Sequence, residues 1–157
     1  MLRPVIESGE RFHSALDLGC GTGLCAALIQ TCVDTIDGID ISSEMLEQAE
    51  KLGIYRELLH EDLAEFLART QGRVDLVIAA DVLIYVGELS SIFQSIGRIL
   101  EPGGLFAFTV ELTTNDKDCH LLPSLRYAHS ESYIRRLAAQ CGLHCDDLRK
   151  PRAVTQA

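Results

Sequence analysis

A chain of 157 residues, 47% of them hydrophobic, can bury one sizeable core and reads as a single domain over 1–157. Its formal charge of -9, from 14 Lys plus Arg against 23 Asp plus Glu, disfavours nonspecific adhesion to nucleic acid or to an anionic membrane. The most apolar run, Val74 to Val86, is broken by Asp75 and Asp81 and falls short of the roughly 18 residues of a membrane span; with no secretory leader, the expected compartment is the cytoplasm.

Ala15 to Leu18 reads as a brief strand that ends on Gly19-Cys20-Gly21-Thr22-Gly23, and an apolar helical run follows from Leu24 to Ile29. Thr35 to Ile41 is a second strand, and Ser42 or Ser43 can cap a helix through Leu52 that Gly53 stops. Arg56 to His60 is a short third strand, and Asp62 can cap a helix through Arg69, with Glu65 as capping-box partner. Val74 to Ala79 is a nearly continuous apolar run, the pattern of a strand covered on both faces. A helix from Leu89 to Leu100 ends at Glu101-Pro102-Gly103-Gly104, and Leu105 to Val110 is the fifth strand. Beyond a polar loop and an irregular stretch, Ser130 caps a helix through Cys141, and Leu143 to Leu148 is a sixth strand. No C-x-x-C pair occurs among Cys20, Cys25, Cys32, Cys119, Cys141 and Cys145, so buried thiols are expected, with no metal site.

Strands alternating with helices predict an α/β fold: a doubly wound, mostly parallel, Rossmann-like sheet with helices on both faces. In such sheets the ligand lies beyond the carboxyl ends of the strands. The residues just after each strand are therefore the candidates for chemistry.

The first of these loops has the spacing G-x-G-x-G. Leu24 stands where the dinucleotide fingerprint needs its third glycine, and no G-K-S or G-K-T follows for a triphosphate. The string Leu16-Asp17-Leu18-Gly19-Cys20-Gly21-Thr22-Gly23 closely resembles the first motif of the class I S-adenosylmethionine-dependent methyltransferases. The resemblance implies that the loop of Gly19, Cys20, Gly21 and Gly23 passes under the methionine part of S-adenosyl-L-methionine, with Asp17 near its amino group.

At the end of the second strand, Asp40 can accept from two adjacent ribose hydroxyls or act as a cap. Gly38-Ile39-Asp40-Ile41-Ser42-Ser43-Glu44-Met45-Leu46 resembles the family's second motif, which gives Asp40 the ribose role, sets Ile41 beside the adenine and brings Met45 into the same site. Asp62 either caps its helix or accepts from the adenine amino group, with Leu63 as the apolar and backbone contact. Arg73 to Val86 resembles the family's fourth strand and its loop. Ala79 and Ala80 are small where backbone passes the cofactor, and Asp75 is structural. Asp81 either orients a nucleophile or stabilises the loop, and Tyr85 is a pocket wall with a polar tip. Glu111 stands near the expected mouth; His129, as a catalytic candidate, and Tyr127 either touch substrate or only pack.

The resemblance spans roughly residues 14 to 145. The family's sheet is larger, with a last antiparallel strand beside the fifth, and the ends here leave open whether the chain carries it. Dependence on a partner or on self-association, as a homodimer, follows as an expectation. The implied reaction is methyl transfer to a nucleophilic N, O, C or S. A small, not strongly anionic acceptor is expected, with a protein side chain as the alternative. No N-P-P-Y or D-P-P-Y string marks a base-modifying enzyme, and no ladder of basic and aromatic residues marks a nucleic-acid partner. The rival readings are a cofactor-binding module without catalysis and an NAD-dependent oxidoreductase.

Overall fold

The computed structural model describes residue 2 and residues 6–7, 9–113 and 117–145. Five strands form one parallel sheet: β1 (Phe12–Leu18), β2 (Val33–Asp40), β3 (Glu57–His60), β4 (Val74–Ala79) and β5 (Leu100–Phe108), in the order β3-β2-β1-β4-β5. The order reverses between β1 and β4. Their loops therefore leave in opposite directions and open a crevice at the carboxyl edge.

The helices are α1 (Leu24–Ile29), α2 (Ser43–Glu50), α3 (Leu63–Arg69), α4 (Ser90–Ile99) and α5 (Glu131–Gln140). Alternation along β1 divides the core. Leu16 and Leu18 join Leu67 of α3, Phe93 and Ile96 of α4, and Ile134 and Leu137 of α5. Ala15, with Leu76 and Ile78 of β4, meets Ala26 and Ile29 of α1 and the outlying Leu2. Phe93 lies edge-on to Phe106 and Phe108, each 5.5 Å away, and these two stack at 4.6 Å. Three side-chain caps start helices where the sequence places them. Ser42 accepts from Met45 N at 3.4 Å, Asp62 from Ala64 N and Glu65 N at 2.8 and 3.1 Å, and Ser130 from Tyr133 N at 3.2 Å. Asp75 ties the start of β4 to β1 by accepting from His13 N and Ser14 N at 2.7 and 2.8 Å.

Three features depart from the sequence reading. β5 begins at Leu100 and takes the Glu101-Pro102-Gly103-Gly104 turn into the strand as an irregularity: Val74 faces Leu100, whereas Leu76 already faces Leu105. The stretch expected to be irregular contains a small second sheet of β6 (Glu111–Thr113), β7 (Cys119–Leu121) and β8 (Tyr127–Ser130), ordered β6-β8-β7. Of the expected sixth strand, residues 143–145 are not extended into any sheet, and residues 146–148 lie outside the described residues.

Candidate active site at the carboxyl edge of the sheet

The chain leaves β1 through three glycines with positive φ, Gly19 at 63°, Gly21 at 55° and Gly23 at 85°. Two of them are also sterically required. A Cβ on Gly19 would stand 2.5 Å from Val82 Cγ2, and one on Gly23 would stand 2.6 Å from Leu52 Cδ1. At Gly21 an added Cβ would meet nothing within 4 Å, so the middle of the loop presents bare backbone to open space.

Asp40 locks this loop to β2. Its Oδ2 accepts from Gly21 N at 2.8 Å and its Oδ1 from Ser42 N at 2.9 Å, which leaves each oxygen further acceptor capacity. Beside it, Ile41 is 71% exposed and Met45 is exposed, two apolar side chains that the core does not use. Asp62 is exposed and spends Oδ1 on the first turn of α3, while Leu63 packs partly into the core.

Below the loop, Asp17 is only 1% exposed. Burial raises its carboxyl to about 6; a hydrogen bond from Tyr55 opposes the rise, and the charge of Asp40 adds to it. Tyr55 Oη donates to Asp17 Oδ2 at 2.8 Å. Cys20 is buried next to them; burial first, then Asp17 and Asp40, push its thiol up to about 12, so it stays neutral. Tyr55 escaped the sequence reading because it lies in the turn before β3 and meets Asp17 only through the fold.

On the other side of the crevice, Asp81 adopts φ 54°, a left-handed conformation unusual for a residue with a side chain. Its N–H donates to Thr109 Oγ1 at 2.7 Å, and that hydroxyl donates back to Asp81 Oδ1 at 3.1 Å. Next to this pair opens an apolar groove of about 540 Å³, lined by Leu2, Ile6, Glu7, Cys25, Leu28, Ala80 and Thr109.

The remaining candidates take the following places. The Ala79 side chain is fully buried in the Phe93 cluster and its carbonyl is taken by Thr109 N, so the groove is lined by its neighbour Ala80. His129 is 0% exposed and cannot reach the mouth; its Nε2 lies 3.0 Å from Val86 O and 3.1 Å from Gly87 O, holding the loop after β4 from behind. Tyr127 packs under that same loop, where a Cβ on Gly87 would come within 2.8 Å of its ring. Tyr133, which the sequence reading missed, joins them: its hydroxyl accepts from Leu89 N and donates to Glu88 Oε1, both at 2.9 Å. Finally, Tyr85 and Glu111 are exposed but are not among the residues that line the groove.

The arrangement joins a backbone cradle, two carboxylates at adjacent strand ends and an apolar groove flanked by a third. Among the described residues no cluster of His, Cys, Asp or Glu could hold a metal ion, and no helix is long and apolar enough to cross a membrane.

A family model described as a methyltransferase domain matches residues 16–108. A ubiquinone biosynthesis O-methyltransferase of Escherichia coli O7:K1 (strain IAI39) is 30% identical over 106 residues, 65% of this chain and 44% of that protein. The chain thus spans less than half the length of that relative. Among solved structures, the YcgJ protein from Bacillus subtilis aligns with TM-score 0.73 at 21% identity, over 89% of this chain and 66% of that one. Magnesium protoporphyrin IX methyltransferase from Synechocystis, solved with bound S-adenosylmethionine, aligns with TM-score 0.64 at 24% identity, over 88% and 62%.

Proposed function

This chain belongs to the class I S-adenosylmethionine-dependent methyltransferase family, and from that premise we propose that it binds S-adenosylmethionine and methylates a small, apolar acceptor. When bound, the cofactor supplies a methyl group on a positively charged sulfur, already an excellent leaving group. The residues present fit such a ligand. The open backbone at Gly21 gives room for its amino-acid end, and the paired acids Asp17 and Asp40 suit its positive charge and its ribose hydroxyls. Ile41 and Met45 offer exposed apolar surface for a base, with Asp62 and Leu63 further along the same edge.

The protein's own contribution is alignment and exclusion of water. Asp81, held by Thr109 beside the groove, would accept a hydrogen bond from the acceptor hydroxyl, orient its lone pair and draw off its proton. The apolar walls favour an uncharged ring or chain over a polyanion. The name of the Escherichia coli relative makes oxygen the favoured acceptor atom here; N, C and S remain the alternatives.

The carrying observation is Asp40, whose carboxylate spans Gly21 N and Ser42 N and so ties the cradle to the strand end. Calorimetry with S-adenosylhomocysteine tests it: Asp40→Ala should weaken binding at least about tenfold, the loss expected for hydrogen bonds to a charged group. Unchanged affinity would remove Asp40 from the site. Turnover of hydroxylated apolar acceptors would support the acceptor class; salt-sensitive, submicromolar binding of RNA or DNA would reverse it.

A second reading is a cofactor-binding unit completed by a partner or a second copy. It is favoured by β5, which among the described residues pairs with β4 alone and leaves one edge open. Efficient turnover by a monomer in sedimentation would exclude it.

A further inference from the structure

We propose that Tyr55 is a positioning residue for the cofactor: its hydroxyl holds Asp17 as an oriented carboxylate beneath the glycine loop. This rests on the methyltransferase reading above.

The space for Tyr55 is built by two glycines, Gly38 near the end of β2 and Gly23 at the cap of α1. A Cβ on Gly38 would come 2.8 Å from Tyr55 Cε1, and one on Gly23 would come 3.1 Å from Cε2. The ring thus fits under the turn that carries the loop, and its packing alone would be served by phenylalanine. The hydroxyl does something more. It donates at 2.8 Å to a carboxylate that is 1% exposed, in a setting that otherwise disfavours the charge. Burial raises the Asp17 carboxyl to about 6, and the bond from Tyr55 is the largest influence in the other direction. Among the described residues, no cation figures among the groups that shift the Asp17 carboxyl. Cys20 in the loop and Cys25 on α1 are thiols pushed upward, chiefly by burial and then by Asp17, and Asp40 at the end of β2 carries like charge. Tyr55, itself pushed upward by burial and by Asp17, stays a donor across the physiological range. Without its hydroxyl, Asp17 would hold a proton to higher pH and lose its charge toward an ammonium group.

The test is Tyr55→Phe, read in two ways. In cofactor-free protein, the carboxyl ¹³C titration of Asp17 should move to higher pH than in the wild type. In calorimetry, S-adenosylhomocysteine should bind about fivefold more weakly at pH 6 and almost equally at pH 8, as follows if one charge-assisted hydrogen bond shifts the protonation equilibrium about tenfold. Asp17→Asn should flatten the pH dependence, and adding Tyr55→Phe to it should change nothing further. A loss equal at all pH values would make Tyr55 a packing residue and overturn the proposal. So would an unmoved Asp17 titration, or an Asp17→Asn profile like the wild type. Failure of the wild type to bind S-adenosylhomocysteine at any pH would overturn the methyltransferase reading itself.

Discussion

Replacing Asp17 by asparagine should stabilise the cofactor-free protein while loosening its hold on the cofactor. Burial raises the folded carboxyl from an ordinary 3.8 to about 6, with the Tyr55 bond opposing and Asp40 adding to the rise. The folded state therefore holds this proton more tightly than the unfolded state. Its charged form weighs against the fold at pH above 6, and that burden lifts as pH falls toward 3.8. At about 1.4 kcal/mol per pH unit, a gap of about two units amounts to roughly 3 kcal/mol at pH 8 and under roughly 1 kcal/mol near pH 4. Asparagine keeps an oxygen for the Tyr55 hydroxyl and sheds the charge, but brings an amide N–H₂ that needs partners, so a net gain of about 2 kcal/mol is expected. For a chain of this size that raises Tm by about 4–8 °C at pH 8. Urea unfolding at pH 8, 6 and 4.5 without cofactor measures the gap, and calorimetry follows the loss of affinity. A variant less stable than wild type at pH 8, or a gap that does not shrink toward acid, refutes the reasoning.

Two other changes probe the two sides of the crevice. Gly19→Ala forces a Cβ to within 2.5 Å of Val82 at a φ of 63°; strain and overpacking should cost about 2–4 kcal/mol and weaken cofactor binding, and near-native stability in denaturant would contradict this. His129→Phe removes the donor to the carbonyls of Val86 and Gly87 and should cost about 1–3 kcal/mol at pH 8. Because burial lowers the His129 pKa from 6.5, the wild type loses part of this advantage as pH falls below that value, so the gap in thermal melts should narrow at pH 5.5.

The parts of the fold most legible in the sequence were those set locally. β4 and α1 have the expected bounds because an unbroken apolar run and a glycine-bounded helical run admit few alternatives. The glycine loop was legible for the same reason, since positive φ joined to close approach at Gly19 and Gly23 leaves little room for any residue but glycine. What failed depended on distant partners. β6, β7 and β8 are three or four residues long, too short for alternation to declare itself, and exist through their pairing. Ala79 and Ala80 differ by one step at a strand end, which is enough to send one into the core and leave the other at the groove. His129 reads in the sequence as either a substrate contact or a packing residue, and only the register of β8, which turns it inward onto another loop's carbonyls, favours packing.

The apolar groove has two kinds of boundary. Its floor, Ala80 and Thr109, is fastened to the sheet by Thr109 N donating to Ala79 O and by the Asp81 bonds to Thr109. Its outer wall is made of Leu2, Ile6 and Glu7, which precede β1 in the chain, and of Cys25 and Leu28 of α1. On the proposed reading of the groove as the acceptor site, substitutions at Leu2 and Ile6 should resize its opening without touching Asp40 or Gly21, whereas changes at Cys25 and Leu28 act on the helix that the glycine loop leads into.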